Sequence, residues 1–109
     1  MEAFSLHIAH VYWGEEGKRR PVLIFSQRED KVTVFKITTQ YQHKSETVRR
    51  NLFEITDWKS SGLSKPSFID IGGLIVMPMA LVGAYPIGKL SDKDKARLEK
   101  LLTERQHAD

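Results

Sequence analysis

Two β-type runs flank a short charged tip in Arg19–Gln40, RRPVLIFSQREDKVTVFKITTQ, and this pairing constrains the fold more than any other stretch of the chain. Pro21 opens the first run, a position a strand tolerates because the missing N–H need not pair there. Val22 to Phe25 is apolar on both faces, as a central strand requires. Arg28 to Lys31 (REDK) is a charged hairpin tip, and Lys31 to Thr39 is rich in Val, Thr, Ile and Phe, the side chains that suit a pleated surface. Alternation sorts this last run into a core set, Phe35 and Ile37, and a groove set, Lys36 and Thr38.

The remaining segments are short and punctuated. Ile8 to Trp13 predicts a first strand ending at Gly14, with Val11 and Trp13 on one face and His10 and Tyr12 on the other. The six residues from Gly14 to Arg19 form a glycine-containing loop, acidic first and basic last. Tyr41 to Asn51 has neither period nor apolar density. It is either a solvated connector or a loop carrying Tyr41, His43, Arg49 and Arg50 toward a phosphodiester backbone. Leu52 to Thr56 is a short strand, Asp57 to Ser64 a turn region, and Pro66 to Ile71 another strand with Phe68 and Asp70 on one face. A carboxylate there implies either a polar cleft or a sheet edge. Gly72-Gly73 breaks this run as a bulge or bend rather than an anion nest, Leu74 to Met77 resumes it and Pro78 limits it. Leu81 to Ile87 contributes a last short strand or an extended segment.

Strands of this length and density point to a mainly β protein, a small antiparallel barrel rather than a parallel α/β sheet. One helix ends the chain. Ser91 is its N-cap, Asp94 completes a capping box in the manner of Glu, and Asp92 and Asp94 favour the positive end of the dipole. Leu98, Leu101 and Leu102 make a narrow stripe, enough to lie on a barrel.

With 109 residues the chain is expected to form one domain over residues 1–109. Seventeen Lys and Arg against fourteen Asp and Glu give a net charge of +3, which permits a polyanionic partner without demanding one. The absence of Cys excludes disulfides, a thiol nucleophile and thiolate metal sites, and suits a reducing compartment. Glu2 stands where a signal peptide would be basic, and the apolar run Gly72 to Ala84 is too short and too broken to span a bilayer, so the cytoplasm is expected. His7 and His10 fall on opposite faces of a strand and are poor joint metal ligands. No glycine-rich phosphate loop opens a helix, and neither a metal nor a cofactor is expected.

What remains is a pairing at the two ends of the opening stretch. The planar guanidinium of Arg20 can clamp a phosphate in a bidentate way, and the Thr38 hydroxyl can donate to a second oxygen. Together they can stabilise charge on a phosphorane-like transition state without a metal.

Four segments, in order, carry a family resemblance: Gly17-Lys18-Arg19-Arg20-Pro21-Val22-Leu23-Ile24, Phe35-Lys36-Ile37-Thr38-Thr39-Gln40, Gly62-Leu63-Ser64-Lys65-Pro66-Ser67, and Ile87-Gly88-Lys89-Leu90-Ser91 before the terminal helix. In this order and spacing the chain resembles the MazF/PemK family of toxins from bacterial toxin–antitoxin systems, over roughly residues 10 to 103. The resemblance implies a compact SH3-like barrel of the MazF/Kid/CcdB kind with a C-terminal helix, usually homodimeric. It implies a metal-independent ribonuclease that cuts single-stranded RNA at short sequences through the ribose 2′-hydroxyl, held in check by a small acidic antitoxin. By motif, Arg20 would be acid and charge stabiliser and Thr38 the transition-state donor, with Lys18 and Arg19 on substrate phosphates and Gly14 to Gly17 a mobile loop above the groove. Lys36, Thr39 and Arg49 complete the expected substrate-binding set, and Asp70 would supply the carboxylate that many members carry nearby. Ile75 stands where their pattern has a later Arg. A catalytically inactive SH3-like binding module of the same fold is the alternative. A gyrase-directed toxin is a third option, disfavoured because the Arg-Pro and Ile-Thr motifs belong to the RNA-cleaving branch.

Overall fold

The structure, a computed structural model, describes residues 1–12 and 17–106, the side chains of Val11 and Tyr12 excepted. The expected faces of Val11, Tyr12 and Trp13, and most of the expected mobile loop, Gly14 to Glu16, lie outside the described residues. Strands β1 (Ser5–Tyr12), β2 (Gly17–Arg28) and β3 (Lys31–Thr38) are followed by a single turn of helix, α1 (Glu46–Arg49). Then come β4 (Leu52–Ile55), β5 (Ser67–Pro78), a 3₁₀ turn at Met79–Leu81, β6 (Gly88–Lys89) and α2 (Asp92–Gln106). The strands form one antiparallel sheet in the order β4-β5-β3-β2-β1-β6, curled into a half-barrel with α2 as its C-terminal helix. The mainly β architecture expected from the sequence is therefore the one observed.

Both faces of the curled sheet are packed. On one, Leu23, Phe35, Ile37, Phe53, Ile55 and Ile69 meet Leu90 and Leu98, so the leucine stripe of α2 closes the main core. Leu98 is fully buried, and Leu101 and Leu102 pack against the same cluster. On the other face, Ala9, Val22, Ile24, Val32, Val34, Met77 and Val82 form a second core. That second core occupies only part of its face. Arg20, Lys36 and Thr38 continue the same alternation beyond it.

Several element boundaries differ from expectation. β2 begins at Gly17 rather than at Pro21, pairing Lys18 with Val11, Arg19 with His10 and Arg20 with Ala9. Pairing of β2 with β3 begins only at Val22, so Pro21 has β1 as its sole ladder neighbour and its missing N–H is tolerated there. Gly72-Gly73 does not end its strand. β5 runs through it with a bulge in which Ile71, Gly72 and Gly73 have no partner on β3, between the pairs Lys36↔Asp70 and Phe35↔Leu74. The segment expected to be loop from Tyr41 to Asn51 contains α1, capped by Ser45 Oγ, which accepts from Val48 N at 3.3 Å. In place of a strand over Leu81–Ile87 there is an isolated bridge, Ala9↔Val82, followed by β6 at Gly88–Lys89.

The N-terminus of α2 is clipped to the end of β4. Ser91 Oγ accepts from Asp94 N at 3.1 Å, as an N-cap should, and donates to Asp57 Oδ2 at 2.6 Å. The Asp94 carboxylate does not complete a capping box. It turns inward, accepting from Thr56 Oγ1 at 2.7 Å, Asp57 N at 2.8 Å and Arg97 Nη1 at 2.8 Å. Burial alone would raise the pKa of Asp94, but the donors from Asp57, Thr56 and Arg97 outweigh it and hold the carboxyl below its ordinary value. Nearby, Gly62 (φ +92°) and Gly88 press backbone to backbone: a Cβ on Gly88 would lie 2.0 Å from Ser61 O, and one on Gly62 2.2 Å from Ile87 O. Two of the four motif segments therefore meet here, and the contact explains both glycines.

Two stability predictions follow from these clips. Asp94→Ala, which removes the buried acceptor shared by the Thr56 hydroxyl, the Asp57 N–H and the Arg97 guanidinium, should cost about 2 kcal/mol in urea unfolding. Because the folded-state pKa is depressed, the wild-type contribution is fully present above the unfolded aspartate value of about 3.9 and is lost as pH falls through the folded value. The difference between wild type and variant should therefore shrink below about pH 4. Gly88→Ala should cost roughly 3 kcal/mol, because the clashing atom is backbone. Retention of wild-type Tm in that variant would refute the close contact.

Candidate functional site

Cross-strand register builds the polar half of the second sheet face. Val22 of β2, Lys36 of β3, Asp70 of β5 and Leu52 of β4 stand side by side in one row. Thr38 and Phe68 are paired in the next row on the same face, and Arg20, two residues before Val22 on β2, falls on that face too. Side chains directly opposite on one face approach to about 5 Å between Cβ atoms, so these rows are contact rows. They floor a cleft of about 370 Å³ lined by Arg20, Lys36, Thr38, Gln40, Lys44, Val48, Leu52 and Asp70.

The polar groups in the cleft are held. Thr38 Oγ1 accepts from Gln40 N at 3.1 Å. That bond uses a lone pair of the hydroxyl and leaves its O–H to donate elsewhere. Asp70 divides its two oxygens: Oδ1 accepts from Gly72 N at 2.9 Å, and Oδ2 lies 3.7 Å from Lys36 Nζ. The bulge supplies that Gly72 N–H, so the local irregularity of β5 positions the carboxylate. Arg20, Thr38 and Lys36 are each half-buried. With Arg20, Lys36 and Lys44 against Asp70 on the walls, the cleft is electropositive and suits an anion. Among the described residues no group of three or more His, Asp or Glu is placed to hold a metal ion.

The sequence-predicted residues separate into groups. Arg20, Thr38, Asp70 and Lys36 come together on the cleft. Lys18 is exposed on β2, two residues from Arg20 and on the same side by alternation, whereas Arg19 falls on the opposite side. Thr39 lines a neighbouring cleft of about 500 Å³ with Gln40, Tyr41, Gln42, His43, Lys65, Pro66 and Phe68. Arg49, in α1, lies over Tyr41, 5.7 Å from its ring centroid. Lys44, Gln40, Val48 and Leu52 were not identified from the sequence. Leu52 could have been found only from the β4–β5 register, and Gln40 carries a weak signal in its place two residues beyond Thr38. Ile75, opposite Val34, lies across the bulge in the next row on Asp70's face and lines an adjoining cleft of about 290 Å³ with Lys36, Asn51 and Asp70.

No protein-family model matches the sequence, and no curated protein sequence matches it. Among solved structures, the chain is similar to the Mycobacterium tuberculosis toxin MazF-mt6, with a TM-score of 0.69 over 96% of this chain and 98% of that one, at 24% sequence identity. A likeness at that identity establishes the shared fold. The geometry of the cleft itself makes a prediction that stands apart from any function: Asp70→Ala should release Gly72 N–H and raise its amide exchange at least about tenfold, while global stability changes by only about 1 kcal/mol.

Proposed function

We propose that this chain is a MazF-like endoribonuclease toxin that cleaves single-stranded RNA at short sequences through the ribose 2′-hydroxyl. The observation that carries this reading is that Arg20 and Thr38 line one electropositive cleft, with the Thr38 oxygen already engaged by Gln40 N and its proton free to donate. Fold likeness to MazF-mt6 and the four ordered motif segments support it independently.

In the proposed reaction the 2′-oxygen bonds to the neighbouring phosphorus and the bond from phosphorus to the 5′-oxygen breaks. The products are a 2′,3′-cyclic phosphate and a 5′-hydroxyl. Asp70 takes the proton from the 2′-hydroxyl, its second oxygen being held on Gly72 N–H. The Arg20 guanidinium and the Thr38 hydroxyl donate to the non-bridging oxygens, where charge accumulates. The departing 5′-oxygen hydrogen-bonds Arg20 and is protonated from solvent. Lys36 and Lys44 hold flanking phosphates as point charges, with Lys18 and Thr39 farther along the strand ends. No metal or cofactor has a part in this scheme.

The rest of the proposal follows from surface chemistry. A basic cleft suits a small acidic antitoxin that competes with RNA for it. The homodimer proposed with this activity would use the exposed apolar residues Phe25, Leu74 and Val76, of which Val76 is 62% exposed. No described helix is long and apolar enough to cross a membrane, and cytoplasmic action on RNA is proposed with the activity. One observation favours the inactive binding module instead: Ile75, not an Arg, occupies the adjoining cleft beside Asp70.

Purified protein should cleave single-stranded RNA in the presence of EDTA and leave 5′-hydroxyl ends. Arg20→Ala and Thr38→Val should each lower kcat at least about 100-fold without loss of fold. Intact RNA after incubation with wild-type protein, across varied sequences and salt concentrations, would favour the binding module.

A further inference from the structure

The neighbouring cleft differs in chemistry from the one assigned to the phosphodiester. Its wall is an aromatic pair, Tyr41 and Phe68, stacked with ring centroids 4.8 Å apart and planes 26° apart. Neither ring belongs to the two cores, and Tyr41 remains 37% exposed. Holding a Tyr in an exposed loop against a half-buried Phe costs conformational freedom that no core packing offsets. The rim carries two amides, an imidazole and an ammonium, on Gln40, Gln42, His43 and Lys65, and no carboxylate. Arg49 adds a guanidinium 5.7 Å from the Tyr41 centroid, and its Nε is buried without a hydrogen-bond partner among the described residues.

We propose that this cleft is a nucleobase subsite, in which the Tyr41–Phe68 wall stacks an RNA base adjoining the scissile phosphodiester. The proposal rests on the ribonuclease reading of the Arg20–Thr38 cleft and extends it to how a sequence is chosen. Three features place a base here. Phe68 is the register partner of Thr38, so the aromatic wall begins one side chain from the hydroxyl, and Gln40 lines both clefts. Unpaired bases in single-stranded RNA are held by stacking on aromatic rings and guanidinium planes, with amides reading their edges. Gln40 and Gln42 each offer a donor and an acceptor to such an edge, and Lys65 a charge to the following phosphate. About 500 Å³ accommodates a nucleotide. The apolar lining, confined to Tyr41, Pro66 and Phe68, is too small to seat the apolar face of a protein helix.

The test uses short single-stranded oligoribonucleotides blocked at the cleavage site by one 2′-deoxynucleotide, with 2-aminopurine placed in turn at each flanking position. Wild-type protein should quench fluorescence at one position. Tyr41→Leu should abolish that quenching and weaken binding about tenfold or more, Tyr41→Trp should retain both, and the salt dependence of binding should be unchanged because stacking releases no counterions. An abasic nucleotide at the quenched position should cost wild type the same factor, a control that does not depend on the variant's folding. Thr38→Val should lose cleavage of the unblocked RNA yet keep the quenching. Equal affinity for abasic and intact RNA, or quenching that survives Tyr41→Leu, overturns the subsite. Protein that binds and quenches but never cleaves overturns the enzyme reading and supports the subsite, and protein that binds no single-stranded RNA overturns both. Quenching relieved by an acidic peptide at unchanged wild-type RNA affinity assigns the aromatic wall to the protein partner and overturns the proposal.

Discussion

The pairing of Val22 with Lys36 and of Lys36 with Asp70 is the constraint on which the cleft depends. Side chains in a sheet alternate strictly, so fixing one such row fixes which residues of β2, β3 and β5 share a face. The row also marks a boundary. Toward the hairpin tip the same face carries Ile24, Val34, Val32 and Met77, which are buried in the second core; toward the strand ends it carries Arg20, Thr38 and Phe68. One sheet face is therefore anchor at one end and binding surface at the other. The apolar half holds the polar half in register without any of the polar groups having to stabilise the fold.

The helix makes a complementary contribution from the opposite face. Its leucines close the main core, while Asp94 binds the chain that leaves β4 through two donors, Thr56 Oγ1 and Asp57 N. Arg105, near the far end, donates to Asn51 Oδ1 and to Arg50 O, just before β4 begins. α2 thus grips both ends of the edge strand, and through β4–β5 pairing it steadies Asp70 from behind. A helix that lines no part of the cleft thus helps to hold its carboxylate.

Much of this was legible in the sequence, for identifiable reasons. The hairpin around Arg28–Lys31, the split of β3 into Phe35 and Ile37 against Lys36 and Thr38, and the terminal helix all follow from local periodicity, which the tertiary structure left intact. The joining of Asp70 to Lys36 was not legible, because it depends on a register between distant strands that local patterning does not encode. The basic residues preceding Pro21 have a pattern polar on both faces, which carries no strand signal; pairing with β1 nonetheless extends the strand through them and sends Arg19 away from Arg20. Asp94 has a capping-box position, but the sequence does not reveal that better donors wait on the β4 turn. The aromatic wall was readable only as separate residues in a loop and a strand, since nothing local brings Tyr41 onto Phe68.

The bulge in β5 has a consequence of parity. Ile71, Gly72 and Gly73 are an odd insertion, so the residues after them occupy the opposite phase to those before: Asp70 and Ile75 share a face, although they are five apart. Ile75 and Met77 thereby join the second core, and Leu74 and Val76 are turned outward. Loss or gain of one residue at this point would invert everything from Leu74 to Pro78, exchanging buried for exposed along the rest of the strand. Loss of two would keep the phase and shorten only the kink. Length variation here is thus tolerated in steps of two, and the glycines mark the place in the chain where sheet pairing counts odd from even.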